Sequence, residues 1–111
     1  MKEYSVFWSD YAQQDLRAII EYIRLDNPDT ARRIFDDIRH ICDELNYLPH
    51  RKRIVPELQE LGIASYREIL HKRWRIVFRI HAKRVDILLV VDSRQDLESI
   101  LFRRLMSPEN P

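Results

Sequence analysis

The sequence holds one glycine and one cysteine in 111 residues, and each scarcity excludes a class of chemistry. With Gly62 alone, no glycine-rich loop can wrap its backbone N–H groups around a nucleotide phosphate. With Cys42 alone, no intramolecular disulfide can form, which agrees with a reducing cytosol. The four histidines, His40, His50, His71 and His81, stand at none of the spacings that hold zinc, so no metal is expected. Long apolar runs are also missing. The longest, Ile87 to Val91, falls far short of the roughly 20 residues that cross a bilayer. The N-terminus, MKEYSVFWSDY, lacks the apolar stretch of a signal peptide. The expectation is a cytoplasmic chain with no membrane contact and no cofactor.

What is present is enough apolar side chain for one core, 45% of residues, and a high charge density of 33%. A chain of this length buries only roughly 65% of its unfolded surface, which leaves little room for a large cavity. The net charge of +1 conceals an asymmetry. Residues 1–50 carry six Lys/Arg against ten Asp/Glu, residues 51–84 ten against three, and residues 85–111 three against five. An acidic first half and a basic middle predict faces of opposite sign, the basic one suited to an acidic partner or nucleic acid.

Residues 4–8 read as a short strand with Tyr4, Val6 and Trp8 on one side. Ser9 caps a helix over 9–25 whose stripe is Ala12, Leu16, Ile19, Ile20 and Ile23. Asn27 and Pro28 then start a second helix, 28–46, with Ala31, Ile34, Phe35, Ile38, Ile41, Cys42 and Leu45 on one face. The short connection makes the pair an antiparallel hairpin. On that stripe Cys42 reads as a buried, inert thiol. Residues 46–65 are irregular, with at most one helical turn at PELQEL. The HRKR run at 50–53 reads as a solvated loop or a nucleic-acid contact; without interleaved aromatics it has no platform for stacked bases. From Tyr66 the period changes to two. Strands are predicted at 66–70, 74–81 and 85–91, joined by short hairpins. In the second, Trp74, Ile76, Phe78 and Ile80 face one way and Arg75, Val77, Arg79 and His81 the other. The third is almost continuously apolar, as in a central strand covered on both faces. Asp96 opens a final helix with Leu97, Ile100, Leu101 and Leu105. The fold class is α+β: a helical hairpin packed on a small antiparallel sheet, whose second face, carrying alternating arginines, is left partly open. Residues 1–106 form a single domain and 107–111 a frayed tail.

Three segments resemble the RelE/ParE superfamily of bacterial toxins: DLRAIIEYIRLDNPDTA (15–31) its helical hairpin, YREILHKRWRIVFRI (66–80) its two central strands, and VDILLVVDSRQDL (85–97) its last long strand and the arginine-bearing turn after it. The resemblance implies the toxin half of a type II toxin–antitoxin pair with a cognate antitoxin as partner. A ParE-like member would act on DNA gyrase; a RelE-like one would be a ribosome-dependent mRNA endoribonuclease; a chain that has lost toxicity would serve as an antitoxin-bound co-repressor.

Arg67, Arg75 and Arg94 match basic positions that RelE-like nucleases use on phosphate, where the planar guanidinium binds bidentately. Arg67 and Arg75 are equally readable as solvated or cross-strand-paired side chains. Arg94 is equally readable as a partner of Asp92 or Asp96. An RNase would also need an acid and a base. RelE-like proteins tend to carry a second basic residue where this chain has Ile69, and a Tyr or His in the C-terminal segment, which here reads DLESILFRRL. Arg94, His71 and Glu68 would have to serve. That departure favours the ParE-like reading, in which no residue is catalytic. The antitoxin is expected to cover the basic stretch through Arg73, Arg75, Arg79 and Lys83.

Overall fold

The computed structural model describes residues 3–106; the tail expected at 107–111 lies outside them. Strand β1 (Ser5–Trp8) leads into helix α1 (Asp10–Arg24) and helix α2 (Pro28–Asp43). The expected caps are in place: the Ser9 hydroxyl accepts from Ala12 N–H and the Asn27 side chain from Thr30 N–H, with Pro28 in the first turn. Each such cap contributes about 1 kcal/mol. The apolar stripe of α2 runs on into a 3₁₀ turn at Glu44–Asn46, which buries Leu45. The segment read as irregular holds more order than its sequence suggests. It contains a second 3₁₀ turn at Pro49–Arg51, a two-residue strand β2 (Arg53–Ile54) and the short helix α3 (Pro56–Gln59). Strands β3 (Tyr66–His71), β4 (Trp74–His81) and β5 (Arg84–Asp92) follow, then helix α4 (Leu97–Leu105), capped by Asp96. Among the described residues no helix is long and apolar enough to cross a membrane.

The strands form one sheet in the order β1-β5-β4-β3-β2. All neighbours are antiparallel except β1 and β5, which run parallel. The hairpin α1–α2 packs its stripe on one face, against Trp74, Ile76, Phe78, Val85, Ile87 and Val90, with Tyr4, Val6 and Trp8 at the margin. Ile38 and Cys42 are fully buried there.

The second face corrects the sequence expectation. It is not left open: α3 and α4 cover it with Leu58, Leu97, Ile100 and Leu101, packed on Val55, Tyr66, Val77, Leu89 and Val91. The sheet is therefore sandwiched between two helical layers. A register shift opposite Val77 and Phe78, which pair with Leu89 and Ile87, leaves Leu88 as an extra residue. This bulge carries the strand past one beat of its alternation. It is why β5 reads as an unbroken apolar run, since Ile87 and Val90 serve the first core and Leu89 and Val91 the second.

The two hairpin turns show what a shortage of glycine costs. Lys72 and Ala82 both sit in left-handed backbone, at φ 54° and 55°. Left-handed geometry brings the Cβ against the following carbonyl, which costs an L-residue roughly 1–2 kcal/mol. Glycine has no Cβ to clash. Lys72→Gly is therefore expected to raise stability by about 1 kcal/mol in urea titration, net of the added freedom of the unfolded chain. Ile38→Ala, in the first core, is expected to cost roughly 2–5 kcal/mol in the same measurement.

Candidate functional site

The candidate cations separate into three groups. Arg75, on β4, points into the second face and is only 6% exposed. A buried guanidinium needs carboxylates, and two reach it. Its Nε donates to Glu68 at 2.7 Å, and its two Nη groups form a bidentate pair with Glu57 of α3 at 2.6 and 2.7 Å. The second oxygen of Glu68 accepts from Arg53 of β2 at 2.7 Å. Glu68, itself 2% exposed, thus bridges two arginines, and the four charges sum to zero. Hydrogen bonding from Arg75 holds the Glu57 carboxyl well below its ordinary value, at about 2, and the same contact raises the Arg75 guanidinium above its own. The cross-strand pairing open for Arg75 in the sequence is the one the fold makes.

A second group gathers where β5 ends. Asp92 accepts from Arg73 Nε at 2.8 Å, from the Arg94 backbone N–H at 2.9 Å and from Arg94 Nε at 3.2 Å. Hydrogen bonds from Arg94, then from Arg73, hold the Asp92 carboxyl far below the usual range. Of the two acids open to Arg94, Asp92 takes it, while Asp96 is spent on capping α4. Arg73 also lies over the Trp74 ring, 5.6 Å from its centroid.

The third group stands at the opposite end of β3 and β4. Arg67 donates to the Lys52 carbonyl at 2.6 Å. Arg79 lies over the Tyr66 ring at 5.9 Å, and Lys83 over Tyr4 at 5.0 Å. Four residues of strand, roughly 13 Å, separate Arg67 from His71 at the far end. Of the residues singled out on the resemblance, the fold therefore joins Arg73 with Arg94, and Arg75 with Glu68. It does not join Arg67, Arg75 and Arg94.

The candidate acid and base groups are dispersed as well. Glu68 has both oxygens engaged by guanidinium groups. His71 faces α2, its Nε2 buried 3.7 Å from Asp37, beyond hydrogen-bond range and with no other partner among the described residues. Neither contacts Arg94.

Two positioning residues escaped the sequence reading. Asp15 of α1 forms a bidentate pair with Arg104 of α4 at 2.8 and 2.7 Å while accepting from the Val90 N–H at 3.0 Å. Partners 89 positions apart leave no local signal. Glu57 lay in the segment read as irregular, where only the PELQEL turn hinted at a fixed position.

Comparison with known proteins adds three findings. A family model described as the ParE toxin of the type II toxin–antitoxin system parDE matches residues 6–97. The fold is similar to a chain of the chromosomal ParDE toxin–antitoxin system of P. aeruginosa, with a TM-score of 0.68 and 22% identity, covering 81% of this chain and 96% of that one. It is similar also to a chain of the toxin–antitoxin complex RelBE2 of Mycobacterium tuberculosis, with a TM-score of 0.58 and 24% identity, covering 83% of this chain and 93% of that one. No curated protein sequence matches.

The Glu57–Arg75 pair makes stability depend on acid. A carboxyl whose folded pKa is depressed contributes stability that is complete above its unfolded pKa and is lost as pH falls toward the folded one. The window here runs from about 4.5 down to about 2. Glu57→Gln is expected to lower the unfolding temperature at pH 7 and to flatten its decline between those two pH values. Thermal unfolding followed by circular dichroism at several pH values checks this.

Proposed function

The chain belongs to the ParE toxin family of type II toxin–antitoxin systems, and on that footing we propose that it is a growth inhibitor that acts on DNA gyrase by binding and is neutralised by a cognate antitoxin. The observation that carries the proposal is the family match over residues 6–97. The dispersal of the acid, base and arginine candidates supports binding rather than cutting. RNA cleavage needs a base near the 2′-oxygen, an acid near the leaving oxygen and cations on the phosphate, all within a few ångströms. Glu68 is occupied by two arginines, His71 lies against α2, and Arg94 sits on Asp92.

The surface cations then serve recognition. Arg67 and Arg94 are the proposed target contacts, and Arg73, Arg79 and Lys83 the proposed antitoxin contacts. Arg75 acts from within, by fixing α3 against the sheet. An antitoxin segment that folds as it binds is a fitting partner for such a surface, because opposite charge steers the encounter.

Inducing the wild-type chain in bacterial cells without antitoxin tests the proposal. A DNA-damage response with intact transcripts is expected. Codon-phased mRNA cuts mapped from transcript 5′ ends, lost in Arg94→Ala or His71→Ala, would replace this reading with a ribosome-dependent RNase. Toxicity is expected to fall in steps as Arg67 and Arg94 are neutralised singly and together, since a binding surface spreads its energy over several contacts.

A further inference from the structure

A cleft of about 460 Å³ opens at the corner where β3 begins, lined by His50, Ser65, Arg67, Arg79 and His81 around Ala64 and Ile80. It lies at the end of the sheet opposite the Asp92 cluster. Among the described residues its composition is one-sided: two arginines, two histidines, a hydroxyl and no acid. Arg67 and Arg79 come from opposite faces of the sheet, because Arg67 stands opposite Phe78 and Arg79 is the next residue in the alternation; β3 starts at Tyr66, so Ile80 and His81 are paired with β5 on one side and lack a β3 partner on the other. Among the described residues neither arginine forms an ion pair. Asp86, the cross-strand neighbour of Arg79 on β5, is taken by Arg84 at 3.0 Å. Arg67 is held by the Lys52 carbonyl, and the exposed Arg79 rests over the Tyr66 ring. Arg75 and Arg104, by contrast, are matched by carboxylates. Two planar guanidinium groups with no carboxylate partner, beside a hydroxyl, are fitted to the tetrahedral oxygens of a phosphate.

We propose that this corner cleft binds the phosphodiester backbone of a nucleic acid, with Arg67 and Arg79 on phosphate oxygens and Ser65, His50 and His81 around them. The lining explains why the ligand is a backbone. Tyr66 is only 8% exposed and lies beneath Arg79, so it offers no face for a base to stack on. Without a Phe, Tyr or Trp face in its lining or a groove-entering element, binding reads charge and spacing rather than sequence. An acidic peptide is the weaker fit, because peptide recognition adds pockets for anchoring side chains, and the apolar part of this cleft is Ala64 and Ile80 alone. The basic 50–53 run then has a place in the fold: it supplies His50 directly, and its Lys52 carbonyl aims Arg67.

The site is tested with the purified full chain by fluorescence anisotropy against a 20-base-pair DNA duplex and an RNA duplex of the same sequence, from 50 to 200 mM salt. Arg67→Gln with Arg79→Gln is expected to weaken binding on the order of tenfold at low salt, and to reduce the slope of log affinity against log salt by about two, one per lost phosphate contact. Arg32→Gln with Arg33→Gln on α2 removes the same charge elsewhere and is expected to leave the slope unchanged. Should the first pair lower thermal stability, Arg79→Gln alone carries the test, since that side chain makes no hydrogen bond among the described residues. Preference between the duplexes identifies which nucleic acid supplies the phosphate. Three results would overturn the inference: equal slopes for the two double variants, no duplex binding by the wild type, or displacement of the duplex by deca-glutamate as readily as by unlabelled duplex. Arg67 enters both readings, but this assay reads duplex binding by the purified chain and the cellular one reads toxicity and transcript integrity, so failure here leaves the gyrase reading standing, and failure there leaves this one.

Discussion

Strand β5 is buried on both faces, so every peptide group along its outer edge has to find a partner, and β1 reaches only as far as Ile87. Beyond that point side chains take over. The Ser9 hydroxyl donates to the Leu88 carbonyl at 3.2 Å, Asp15 accepts from Val90 N–H, and the Gln95 side chain accepts from Asp92 N–H at 2.9 Å. Each bond removes a penalty of roughly 1–3 kcal/mol that a buried, unmatched peptide group would impose. The rest of the architecture hangs on this solution. Ser9 can reach the bulge because it also starts α1, and Asp15 can reach Val90 because α1 lies along the strand. Through Arg104 the same carboxylate ties down α4, which closes the second core.

A comparable economy governs the other edge. Strand β2 is only two residues long, too short to be held by its ladder. Arg53 anchors it by reaching Glu68, and Glu68 is drawn inward by Arg75, which also takes Glu57 and so places α3. Charge thus adds to the apolar packing of Val55 and Leu58 in holding this segment. Fixing α3 in turn positions Leu58 over the sheet, and the second face becomes a core instead of an open platform.

The parts of the fold legible in the sequence are those written in short-range periodicity and capping. Ser9, Asn27 and Pro28 mark helix starts because a cap is a local event, and the α2 stripe is unambiguous because its apolar residues recur every three or four positions. The second layer was illegible for an equally physical reason. Alternation on β4 places Arg75 and Arg79 on one face, and a strand read alone cannot show that Glu57 and Glu68 neutralise the first while an aromatic ring supports the second. The arginines chosen by resemblance were therefore assigned as one surface, where the fold makes them a buried strut, a turn clasp and a corner cleft. His81 and Ser65 had no signal at all, since they belong to a site made only by β3 beginning where β4 has yet to end.

Cys42 has zero exposure in the first core, and its burial pushes the thiol up to about 12. At cellular pH almost none of it is thiolate, the form that attacks disulfides and peroxides. Cys42 accordingly offers no redox handle: oxidants that cross-link or sulfenylate exposed thiols pass it by. The antitoxin proposed above then restrains the chain without a disulfide, through contacts that equilibrate with its concentration and lifetime. A change in oxidation state would leave that balance where it was, whereas loss of the restraining molecule would shift it at once.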